Sequence, residues 1–192
     1  MCADTRVKMY KYLAEFIGTA IIIYVILSTG NALATGATLA LVLLLTTNIF
    51  AKEDIINIQL KDGIVKIKTF DDKAPKHVKR IKELVSEGFY DGIVFHRVID
   101  GFMAQTGDPL GNGTGGSGQN IEQEFNDTPH IKGTLSMARS SDPNSADSQF
   151  FIVFDDAPHL DGQYTAWGQV IEGMDFVDKI KKGDPMKNGS VD

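Results

Sequence analysis

The chain has 192 residues, a single cysteine (Cys2) and a formal net charge of −6. That length suits one domain plus an appendage, and the acidic balance disfavours a nucleic-acid partner, which would require a basic patch. No internal disulfide can form, and His77, His96, His130 and His159 lack zinc-ligand spacing, so no metal and no cofactor is expected.

The first element is apolar. Residues 16–51 contain no charged side chain. As one helix they would extend about 54 Å, against a hydrocarbon core of about 30 Å. The stretch is too long for one span and about right for two. Ser28-Thr29-Gly30-Asn31 offers a turn, which predicts a helical hairpin near 13–27 and 32–50. An export signal competes with this anchor. Lys8 and Lys11 would form its charged region and Ala32-Leu33-Ala34 its cleavage site. Tyr12-Leu13-Ala14-Glu15-Phe16-Ile17-Gly18-Thr19-Ala20 resembles the first helix of aquaporin-family channels. The Asn-Pro-Ala half-helices of that family are missing, so the resemblance implies an anchor and no pore. Residues 1–51 are therefore read as a membrane segment, hairpin or signal/anchor, and residues 52–192 as the soluble domain. The expected location is the bacterial inner membrane, or the periplasm if the segment acts as an export signal. Residues 1–51 carry three basic and two acidic side chains, so the −6 total leaves −7 on the remainder.

Short strands follow. Ile56, Ile58 and Leu60 alternate with Asn57 and Gln59, Lys61-Asp62-Gly63 marks a turn, and Val65 and Ile67 alternate with lysines, which predicts a hairpin. Pro75 suits a first helical position, Val78, Ile81, Leu84 and Val85 form an apolar stripe, and Gly88 is placed to end that helix. Further strands are predicted near 93–98, 102–106, 135–138, 150–153 and 167–170, with a second short helix over 174–180. Many short strands and two helices suggest a mainly β barrel or sandwich.

The run from Phe95 to Asp108 carries the most chemistry. It places Arg97, whose guanidinium keeps its proton and donates in fixed directions, close to Phe102, Met103 and Gln105. A fixed cation beside an apolar surface suits a neutral, partly apolar ligand whose electron distribution must be shifted. The same residues also read as a strand, a turn at Asp100-Gly101 and a second strand. Gly111-Asn112-Gly113-Thr114-Gly115-Gly116 satisfies the dinucleotide pattern, but no helix signal follows it, so the nucleotide reading is rejected.

Phe95 to Asp108, Gly113-Thr114-Gly115-Gly116, Gly133-Thr134-Leu135-Ser136-Met137-Ala138, Ser148-Gln149-Phe150-Phe151-Ile152 and Leu160-Asp161-Gly162, in this order, resemble the cyclophilin-type peptidyl-prolyl cis-trans isomerases. Tyr164-Thr165-Ala166-Trp167-Gly168 resembles their bacterial branch. The resemblance covers about residues 55–184. It implies a closed antiparallel β-barrel with two capping helices, here preceded by the N-terminal apolar helical segment. It also implies isomerisation of X-Pro bonds in protein folding. An X-Pro amide isomerises slowly because its C–N bond has partial double-bond character, with a barrier of roughly 18–20 kcal/mol. Catalysis needs only that the twisted state be held better than either planar isomer.

By that resemblance Arg97, Gln105 and Phe102 are catalytic. Arg97 would donate to the pyramidal prolyl nitrogen of the twisted state, and Gln105 would bind the substrate carbonyl side. Phe102, Met103, Phe151 and Leu160 would surround the proline ring. Ala138 and the backbone of Arg139 would bind the preceding residues, His96 would support the groove floor beside Arg97, and Tyr164 stands where a histidine lines the pocket. His159 stands where a tryptophan often occurs, which implies only weak cyclosporin binding. The expected partners are proline-containing polypeptides and, through residues 1–51, a membrane. The alternative is a non-catalytic proline-peptide-binding module on a membrane anchor. One departure bears on stability. The family continues past Lys182-Gly183-Asp184-Pro185 into a last strand, whereas this chain ends in a polar Asn188-Gly189-Ser190 tail. A missing last strand is expected, with an open sheet edge and reduced stability.

Overall fold

A computed structural model describes residues 55–191. The helical hairpin, the export signal and the aquaporin resemblance expected over residues 1–51 lie outside the described residues. Among those described, no helix is long and apolar enough to cross a membrane.

Eight strands form one antiparallel sheet. In chain order they are β1 (Ile55–Gln59), β2 (Ile64–Thr69), β3 (Arg97–Ile99), β4 (Met103–Thr106), β5 (Thr134–Met137), β6 (Phe150–Val153), β7 (Ala166–Glu172) and β8 (Asn188–Val191). Their spatial order is β3-β4-β6-β5-β7-β2-β1-β8. The β1–β2 hairpin closes at Lys61-Asp62-Gly63 through Leu60 N–H donating to Gly63 O at 2.9 Å. Ile56, Ile58, Val65 and Ile67 from this hairpin enter the core.

Helix α1 (Pro75–Ser86) lays His77, Val78, Ile81, Leu84 and Val85 against that core. It ends where Gly88, at φ +70°, lets Phe89 N–H reach back to Leu84 O at 2.9 Å, a left-handed helix terminus that glycine adopts without steric cost. Its start has no local side-chain cap. Glu124 supplies one from a distant loop, accepting the Lys76 and His77 backbone N–H groups at 3.0 and 3.1 Å. Helix α2 (Met174–Val177) is shorter than predicted. Beyond it Lys179 N–H and Ile180 N–H bond three residues back, to Phe176 O and Val177 O, and these tighter turns end the helix.

Two expectations are corrected. The last strand is present: β8 pairs with β1, Ile56 opposite Val191 and Gln59 opposite Asn188. Its polar residues suit an edge, where backbone hydrogen bonds rather than side-chain burial make the ladder. A side chain at Gly189 would press on Val85, so a small residue lets helix and edge strand meet. The reduced stability inferred from a missing strand loses its basis. Nor is the barrel closed by a ladder. No pairing joins β3 to β8 among the described residues. The segments before them meet instead, through a Val94–Pro185 bridge, with Phe95 N–H donating to Asp184 O and Met186 N–H to Ile93 O, both at 2.9 Å. Pro185 has no N–H to extend a ladder, so the eight strands form a curled sheet with a stitched seam.

Strand alternation sorts side chains between two clusters. Phe150, Ile152, Leu135, Met137 and Ala104 face the main core with Trp167, Tyr90 and Phe95. Met103, Phe151 and Val153 face the other way and pack with Ala157 and Leu160. The second cluster is the floor of the site.

Candidate active site

The site begins with register. Arg97 on β3 lies opposite Gln105 on β4, and Gln105 lies opposite Phe151 on β6. Opposed residues share a face, so a cation, an amide and an aromatic ring stand in one row across three strands. Arg97 Nη1 donates to Gln105 Oε1 at 3.3 Å. Gln105 Nε2 donates to Gln149 Oε1 at 2.9 Å. Gln149 Nε2 in turn donates to Gly113 O and Gly115 O at 3.1 and 2.7 Å. The chain of amides orients the Gln105 carbonyl toward the exposed guanidinium and ends in the glycine loop.

That loop is gathered by Asp108, which is buried. Its carboxylate accepts Leu110 N–H at 2.8 Å, Asn112 N–H at 2.9 Å and Gly113 N–H. Burial alone would raise the Asp108 pKa, but these backbone donors outweigh it and hold it below the usual carboxylate range.

A cavity of about 330 Å³ is lined by Arg97, Phe102, Met103, Gln105, Ala138, Arg139, Phe151, His159, Leu160 and Tyr164. The ring of Tyr164 meets Phe151 edge-on, 5.9 Å between centroids at 80°, and Phe102 lies 5.5 Å from His159. Leu160 ends a 3-10 turn (Pro158–Leu160) that carries it and His159 to the rim. A second cavity, of about 310 Å³ and more polar, shares Gln105, Ala138 and Arg139 with the first. The sequence-predicted residues thus converge on one cavity, with one exception. His96 is buried outside both cavities, its ring beside Gly113. Burial lowers its pKa, with Asp108 opposing and Arg97 and Lys182 reinforcing the shift. Among the described residues, neither of its ring nitrogens has a hydrogen-bond partner.

Two contributors were missed from sequence. Gln149 sits two residues before Phe151, so the period-2 rule alone places it on the site face. His130 stacks behind Phe151 at 6.5 Å. Its Nδ1 contacts Asp161 at 2.8 Å and its Nε2 contacts Ser136 Oγ at 2.9 Å. Asp, His and Ser in line match the connectivity of a serine hydrolase, but Ser136 has no exposed surface and cannot meet a substrate. The chain braces the Phe151 wall. No local motif joins these three residues, because they meet only in the folded sheet.

The site can therefore present a fixed hydrogen-bond donor next to a cavity with an apolar floor, with no exposed nucleophile in its row. Comparison with known proteins identifies the family. Residues 55–191 match the family described as cyclophilin type peptidyl-prolyl cis-trans isomerase/CLD. The "Probable peptidyl-prolyl cis-trans isomerase" of Brucella abortus (strain 2308) is 51% identical over 175 residues, covering 84% of this chain and 89% of its own. Peptidyl-prolyl cis-trans isomerase B of Bacillus subtilis (strain 168) is 43% identical over 136 residues, covering 69% of this chain and 94% of its own. A Cryptosporidium parvum cyclophilin-type isomerase, crystallised in the presence of the dipeptide Ala-Pro, superposes with a TM-score of 0.66 at 31% identity, covering 72% of this chain and 98% of that one. The chain belongs to the cyclophilin-type peptidyl-prolyl cis-trans isomerases.

Proposed function

We propose that Arg97 accelerates X-Pro isomerisation by donating to the prolyl nitrogen as the amide twists. In the planar amide the nitrogen lone pair is conjugated with the carbonyl and is a poor acceptor. On twisting, nitrogen becomes pyramidal and the lone pair is freed. A donor aimed there stabilises the twisted state alone and lowers the barrier. The observation that carries this reading is the Arg97–Gln105 contact on the rim of the apolar cavity. Gln105 holds the fork on one side and leaves its other donors to the substrate.

Phe102, Met103, Phe151 and Leu160 would take the pyrrolidine ring, Gln105 the substrate carbonyl side, and Ala138 with the Arg139 backbone the preceding residues. His96 acts beneath the loop as support. His159 in place of a larger aromatic ring gives cyclosporin less surface, so binding of that inhibitor is weak. The natural partners are proline-containing segments of flexible polypeptides. Residues 1–51 tie the domain to the bacterial inner membrane, or export it to the periplasm if they act as a signal. Fractionation of cells expressing the full chain separates those outcomes.

The test is cis-to-trans conversion of a short X-Pro peptide by the full chain and by Arg97→Ala. The expected result is turnover by the first and a loss of about 10²-fold in the second. Peptide binding with no turnover by the unaltered chain would instead identify a proline-binding module.

A further inference from the structure

The side chain of Arg139 has its own work. Its Nε and Nη2 both donate to Gln163 O, at 3.3 and 3.0 Å, and its Nη1 donates to Ser140 O at 2.8 Å. The guanidinium carbon lies 4.6 Å from the centroid of the Tyr164 ring, with the Phe125 ring at 5.8 Å. Gln163 O belongs to the peptide unit that enters Tyr164, so one side chain fixes both the backbone and the ring of that residue. The segment it holds is otherwise tied locally: Gln163 N–H and Tyr164 N–H both return to Leu160 O, and Gln163 Nε2 to His159 O. Arg139 comes from a different segment that also lines the cavity, two residues beyond the end of β5.

We propose that the Arg139 side chain is a positioning residue that holds Tyr164 as a wall of the proline cavity, and so sets affinity for X-Pro peptides without taking part in the twisting step. The proposal rests on the cavity being the proline site. Tyr164 in turn meets Phe151 edge-on, so a released Tyr164 loosens one side of the cavity. Lysine cannot replace this arrangement. An ammonium has no planar face to stack on the ring and no fork to grip one carbonyl with two donors.

The test uses the full chain and a short Ala-Pro-containing peptide, with the dissociation constant from titration and the catalysed rate at saturation from NMR exchange. Arg139→Ala is expected to weaken binding about five- to tenfold with the saturated rate within about twofold. Arg139→Lys should recover only part of the affinity. Tyr164→Ala should weaken binding similarly, and the Arg139→Ala/Tyr164→Ala double variant should bind no more weakly than Tyr164→Ala alone, because the two changes remove one interaction. Emission of Trp167 reports whether each variant is folded. Arg139→Gln, which keeps most of the stem, takes the place of Arg139→Ala if that variant does not fold. Unchanged affinity in these variants, full recovery with lysine, or additive losses would each overturn the proposal. Absence of both peptide binding and turnover in the unaltered chain would overturn the reading of the cavity instead, so the two failures are distinguishable.

Discussion

Arg97, Met103 and Gln105 share a face because an alternating strand, a tight turn and a second strand carry them, so that part of the grouping was legible from spacing. Phe102 and Phe151 joined them in the sequence only through the family resemblance. His130 and the stacking of Arg139 on Tyr164 were not legible, since each depends on loops that meet only after folding, whereas Gln149 was within reach of the period-2 rule. Two buried histidines add a pH dependence. Burial lowers the pKa of both His77 and His96, and neutral His77 then donates from Nδ1 to Glu124 at 2.8 Å. The folded state keeps these rings neutral, whereas the unfolded chain protonates them below about pH 6.5. Their contribution is therefore complete above that pH and is lost as pH falls toward the lowered values. The urea midpoint read from Trp167 is expected to fall between pH 7.5 and 5.5. A flat profile would contradict the burial assignment. Gly107 gives a second prediction at this scale. At φ +86° it adopts a conformation that L side chains rarely reach, and an added Cβ would collide with Ser148 O. Gly107→Ala should destabilise by about 2–4 kcal/mol, measured by the same unfolding curve.

At the scale of elements, strands with a clear apolar run or alternation announced themselves. Phe150–Val153 was predicted with the observed bounds. What failed was β8, because an edge strand made of Asn, Gly and Ser has backbone pairing and no apolar pattern to read. Its presence makes a prediction opposite in sign to the one drawn from sequence. Ending the chain at Lys187 removes the partner of β1 along Ile56 to Gln59. The midpoint of thermal unfolding should drop by at least about 5 °C. An unchanged midpoint would mean that β8 adds nothing to the sheet. Helix α1 depends on a remote residue in the same way. Glu124→Ala removes the acceptor for its first N–H groups and should cost about 1 kcal/mol in a urea titration, with Glu122→Ala as the exposed control.

At the scale of the whole molecule, a curled eight-strand sheet divides its side chains into a main core and a smaller outer cluster that becomes the pocket floor. The amide chain from Arg97 through Gln105 and Gln149 to the loop gathered by Asp108 links the cavity rim to that frame, so a flexible side chain is held where a pre-set donor is needed. The central claim is that this guanidinium binds the twisted amide in preference to the planar one. The most direct measurement compares, for the unaltered chain and Arg97→Ala, the affinity for a short X-Pro peptide and the catalysed exchange rate at saturation. The account predicts affinities within a few fold of each other and a saturated rate lower by about 10²-fold in the variant. Equal saturated rates would contradict it.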